Sequence, residues 1–73
     1  MTQKEIDKKR KEMGAELKRQ RLIKDYSLRE AAALCGSDHQ RIMDVERGKN
    51  FTFDTVCRIA SLYGLEITIT KQP

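Results

Sequence analysis

The stretch SLREAAALCGSDHQRIMDVERG, residues 27–48, decides how this chain reads. It carries two short helix signals separated by one glycine. Ser27-Leu28-Arg29-Glu30 has the spacing of a capping box, in which the serine hydroxyl accepts from the backbone N–H of Glu30 and Glu30 reaches back to that of Ser27. The helix it opens contains Ala31, Ala32, Leu34 and Cys35, and Gly36 ends it with the left-handed conformation of a C-terminal cap. Ser37-Asp38 offers a second N-cap. The next helix runs from about His39 to Glu46, with Ile42 and Val45 as its inward stripe and Gly48 as its stop.

Outward from this pair, residues 5–24 read as helix, with Met13, Leu17 and Leu22 facing inward and Ile6 as an anchor for the leading turns. Gly14 costs up to about 1 kcal/mol in such a helix. Residues 1–12 therefore read as a basic helical extension or a separate arm, ahead of a domain over 13–64. Lys49-Asn50-Phe51 is a loop, and Thr52 caps a fourth helix, 53–63, with apolar positions at Phe53, Val56, Cys57, Ile59, Ala60 and Tyr63. After Gly64 the period changes to strict alternation. Leu65-Glu66-Ile67-Thr68-Ile69-Thr70 reads as a strand, within a dimerisation strand and tail over 65–73. A lone strand is unstable and no second one is present, so it must pair with another copy or another protein.

Seventy-three residues suit one small domain with a limited core, which usually needs a staple, a metal or a partner subunit. Cys35 and Cys57 read as reduced, small apolar core residues, because nothing else suggests an oxidising compartment. Charged residues make up 36% of the chain and no apolar run reaches membrane-span length, so the expectation is a soluble, cytoplasmic protein with no membrane partner. The net charge of +4 favours a polyanionic partner. Residues 1–24 hold nine Lys or Arg against four acids, while residues 25–73 hold six against seven, so the excess is N-terminal. Lys4 to Lys11 read equally well as a solvated face. Lys18, Arg19 and Lys24 lie closer to the helix pair and are better phosphate candidates.

Two short helices joined by a glycine-containing turn form a helix-turn-helix unit. The residues Ser27-Leu28-Arg29-Glu30-Ala31-Ala32, Gly36, Ile42 and Glu46-Arg47-Gly48 resemble the lambda-repressor/Cro-like, or XRE-type, DNA-binding domains. The resemblance runs without gaps and extends through Thr52 and Phe53 to Ala60 and Gly64, about residues 13 to 65. It implies a mainly α fold of four helices. It also implies an ion pair between Glu46 and an arginine of the first helix, whose place Arg21 occupies. A strand after Gly64 is similar to that of HipB-type antitoxins. There it pairs antiparallel with its twin, which would turn Leu65, Ile67 and Ile69 into a two-chain core.

In this arrangement the outward face of helix 39–46 enters the major groove, N-terminal residues nearest the base edges. Those residues are His39, Gln40 and Arg41, followed by Met43 and Asp44. The resemblance places base reading on His39, Gln40 and Asp44. Gln40 is the best candidate, since an amide can bond adenine N6 and N7 together. Phosphate contacts are expected from the backbone at Ser27 and Leu28, from Arg29, and from Arg47, Lys49, Asn50 and Thr52. The reading is a repressor that occupies a palindromic operator as a homodimer, its half-sites about 34–36 Å apart. No enzyme activity, cofactor or metal is expected: the one histidine and two thiols lack metal-site spacing. Two alternatives stand beside it. One is an antitoxin that binds a toxin protein and represses its own operon. The other is a protein-interaction module without DNA binding, which Leu28, Asp38 and Asp44 favour, because relatives often carry Gln after the capping serine and a neutral or basic reader at the place of Asp44.

Overall fold

The computed structural model describes residues 1–49 and 51–71. Four helices follow one another: α1 (Gln3–Ile23), α2 (Leu28–Cys35), α3 (His39–Glu46) and α4 (Phe53–Leu62). The expected boundaries of the two central helices coincide with those of α2 and α3.

α1 starts earlier than its periodicity suggests because Thr2 caps it. The Glu5 amide donates to the Thr2 hydroxyl at 3.2 Å, and the Thr2 amide donates to the Glu5 carboxylate at 3.1 Å. The helix continues unbroken through Gly14, so residues 3–12 are helix rather than a detached arm. Its inward stripe also differs from the expected one. Met13 and Leu22 are exposed, at 41% and 58%, and the buried positions are Gly14, Leu17 and Arg21. Those three share one face at intervals of three and four. An apolar-only template misses that face because two of its members are a glycine and an arginine.

α2 has the capping box in full, and Gly36 adopts φ +68° at its end. Asp38 caps α3 by accepting from the Arg41 amide at 2.9 Å. α4 is the exception. Thr52 has N-cap backbone geometry, but its hydroxyl turns to Thr55 Oγ1 at 2.9 Å instead of capping an amide. Phe53, expected on the apolar stripe, is 70% exposed in the first turn.

The core lies between α1, α3 and α4, with α2 closing it. Leu17, Ala32, Ile42, Val45, Val56, Ile59, Ala60 and Tyr63 form one cluster. Ala31 and Ala32 are buried and small, which lets α2 approach its neighbours closely. Cys35 and Cys57 are both free thiols and only half-buried, at the rim of the core rather than inside it. Among the described residues no helix is long and apolar enough to cross a membrane.

Residues 65–71 carry no regular structure. The expected strand is absent among the described residues, for a physical reason: a strand exists by its ladder, and the described residues offer helices but no second strand to complete one. Ile67 packs against the core cluster, Leu65 is partly exposed, and Ile69 is fully exposed.

Candidate nucleic-acid interface

α3 is divided sharply between its two sides. Ile42 and Val45 are completely buried, which fixes the rotation of the helix about its axis. Gln40 and Arg41 then stand exposed, while His39, Met43 and Asp44 are half-buried along the edge of the outward face. All five residues assigned to base reading are thus gathered on or beside one surface.

Three of them are already engaged. The Gln40 amide nitrogen donates to Asp44 Oδ1 at 3.0 Å, one turn along the helix. An amide has two N–H groups, so this bond leaves one N–H and the carbonyl oxygen, the pair that adenine N7 and N6 require. Asp44 therefore does not stand as a bare carboxylate facing phosphates. The Arg41 guanidinium lies 3.5 Å from Asp38 Oδ2, an exposed contact that a stronger anion can displace.

The flanks divide into side-chain and backbone donors. Leu28 turns its side chain to the core, which makes it part of the scaffold. Glu30 N–H is taken by the Ser27 hydroxyl and Ala31 N–H by the Ser27 carbonyl. The amides of Leu28 and Arg29 have no partner among the described residues, as at any helix start, and remain available to an anion. Hydrogen bonds from Ser27 hold the Glu30 carboxyl below the usual range. Arg29 and His39 line the same shallow cleft between α2 and α3. Across α3, Arg41 and Asp44 share a cleft with Thr52 and Thr55 of α4. Arg47 and Lys49 are exposed in the loop after α3, and Asn50 lies outside the described residues. Arg19, a phosphate candidate by position, is held by Glu16 through two bonds of 2.6 and 2.8 Å. That pairing pulls the Glu16 carboxyl down to about 2.

Behind the surface, a buried ion pair braces α3. Arg21 Nε donates to Glu46 Oε2 at 2.7 Å and Nη2 donates to Oε1 at 3.1 Å. The Nη1 group donates to the Tyr26 carbonyl at 2.9 Å. The two side chains are only 10% and 5% exposed, so three hydrogen bonds offset the loss of water. The bond to Glu46 raises the Arg21 pKa further. Tyr63 packs nearby, and burial pushes its hydroxyl up to about 12. One guanidinium thereby ties α1, the α1–α2 connector and the last turn of α3 together.

A family model described as a helix-turn-helix domain matches residues 12–68. The chain belongs to that helix-turn-helix domain family. The matched span takes in α2, α3, α4 and half of α1, and it is consistent with an XRE-type domain. Comparison with curated proteins gives no match. Membership suggests a DNA-binding regulator in a family that is typically not enzymatic.

One residue of this helix-turn-helix domain reads from the sequence only as a weak point of α1, whereas the structure makes it a packing contact. Gly14 is buried where α1 crosses the end of α3. A Cβ there would overlap the Val45 carbonyl oxygen and lie 2.7 Å from that of Glu46. The glycine sets how closely the brace holds α3. A glycine in mid-helix, on the same face as Leu17 and Arg21, was the available signal.

Proposed function

We propose that the protein is a sequence-specific repressor that binds a palindromic operator as a homodimer, with α3 as the recognition helix. The observation that carries this is the division of α3: aliphatic residues locked into the scaffold, polar residues along the opposite, more exposed side. Gln40 reads adenine, buttressed by Asp44, while Arg41 and His39 contact neighbouring bases or phosphates. Arg29, Arg47, Lys49, Asn50 and Thr52, with the free amides at the start of α2, hold the backbone on either side. Residues 65–70 pair antiparallel with those of a second copy. The lack of regular structure there, and the full exposure of Ile69, support that role.

Selection of sites from random DNA at two salt concentrations tests this reading. The expected product is a palindrome whose affinity falls steeply with salt. Gln40→Ala costs about 1–3 kcal/mol on that site and relaxes base choice at one position. An equal loss on every sequence would remove Gln40 from base reading. The same exposed segment favours a second reading, in which a toxin protein takes the place of the second copy. A protein of fixed stoichiometry that masks residues 65–70 on co-purification would establish it.

A further inference from the structure

The N-terminal half of α1 is the one strongly basic element that the recognition surface leaves unused. Its cations are not equivalent. Lys8 lies 3.9 Å from Glu12 and Arg10 lies 3.3 Å from Asp7, so both are partly neutralised within the helix. Lys11 is exposed and has no carboxylate within ion-pair distance among the described residues. Its position is fixed by a neighbour distant in sequence. Gly48, at φ +79°, presses against it: an added Cβ would lie 3.0 Å from both the Lys11 amide nitrogen and Cγ, and 3.2 Å from its Cα. The loop that leaves the recognition helix therefore rests directly on the α1 backbone at Lys11. Gly14, one turn further along α1, meets the last carbonyls of α3 more closely still. Two glycines hold α1 against this end of α3, and the Lys11 backbone comes to lie beside the loop that carries Arg47 and Lys49, which are likewise exposed and without ion pairs among the described residues.

We infer that Lys11 joins Arg47 and Lys49 in a contact site for the DNA phosphate backbone at the C-terminal end of α3, which brings α1 into the DNA interface. The inference rests on the DNA-binding reading above. Lys11, Arg47 and Lys49 occupy neighbouring backbone positions around Gly48, and none of them forms an ion pair among the described residues; the chemistry that fits such a set is a row of phosphate monoanions along one strand. A structural role exists for comparison. A cation at this place also complements the negative end of the α3 dipole. The two roles differ in what they move: a phosphate contact changes the salt dependence of binding, and a dipole partner changes the stability of the free protein.

The test is the salt dependence of binding to a short mixed-sequence duplex between about 50 and 200 mM salt. Lys11→Gln is compared with the unmodified protein, with Lys11→Arg, and with Arg58→Gln. Arg58 lies on the cleft shared by α2 and α4, with Leu34 and Ser61, and serves as a charge-matched control. For Lys11→Gln the slope of log affinity against log salt becomes shallower by about 0.9, so its affinity varies roughly 3.5-fold less over that range. Lys11→Arg and Arg58→Gln keep the original slope, and the melting temperature of the free protein is unchanged. An unmodified protein that binds with Lys11→Gln of equal slope overturns this inference alone. A lower melting temperature with an unaltered slope does so as well, since it assigns Lys11 to the helix dipole. An equal change for Arg58→Gln overturns it as a general charge effect. An unmodified protein that binds no duplex at low salt overturns the DNA-binding reading itself, and this inference with it.

Discussion

Residues 3–13 and residues 65–71 flank the core on either side, and both are largely exposed, yet the first are regular helix and the second have no regular structure. Hydrophobicity does not explain the difference, because the C-terminal segment is the more apolar of the two. The helix completes its hydrogen bonds from within, residue to residue four positions away, and Thr2 closes its open end. An extended segment has no internal partners and waits for an edge from elsewhere. The comparison also separates two kinds of attachment. α1 is tied to α3 inside one chain by Gly14, Leu17 and Arg21, whereas residues 65–71 touch the core mainly through Ile67.

Substitutions on either side of the core test that distinction. The largest effect is expected at the ion pair. Arg21→Met leaves Glu46 buried and uncompensated, and should cost about 3–5 kcal/mol in chemical denaturation. Arg21→Met with Glu46→Gln should recover much of it. If the single variant melts like the parent, the brace contributes nothing and α1 is held by Gly14 and Leu17.

Gly14→Ala comes next. Alanine is the better helix former by about 1 kcal/mol, so the helix alone predicts stabilisation. The carbonyls of Val45 and Glu46 sit where the methyl group would go, and they are backbone, which cannot turn aside. Overpacking of this kind costs about 1–3 kcal/mol, and the variant should be net less stable. A higher melting temperature would show that α1 and α3 can part without loss.

The smallest effect on the fold itself is expected at Ile69. Ile69→Ser should leave the monomer within about 0.5 kcal/mol, because the side chain is fully exposed. In the proposed dimer the same side chain is buried in each copy, at about 1.5–3 kcal/mol apiece. Sedimentation at graded concentrations should then show self-association weakened by tenfold or more. Unaltered association would place the dimer contact elsewhere.

Much of the fold was legible because its signals are local. The Ser27–Glu30 box, the left-handed Gly36 and the Asp38 cap each act within four residues, so their spacing in the chain is their geometry in space. The burial of Ile42 and Val45 followed from period, and with it the outward direction of Gln40 and Arg41. The misassignments of Met13 and Leu22 arose where a face is defined by what packs against it. Thr52 failed as a side-chain cap for a similar reason, since its hydroxyl found Thr55 nearby.

By itself, then, the sequence determined the helix-turn-helix unit and which side of α3 is polar, because hydrogen bonds between near neighbours and a period of 3.6 depend on nothing distant. Only the tertiary structure decided that Gly14 is a contact rather than a break and that Lys11 stands beside the loop after α3. It also left residues 65–71 without a ladder. Close approach between backbones depends on the relative placement of whole helices, and ladder formation on a second strand. Neither is written in the spacing of residues along one chain.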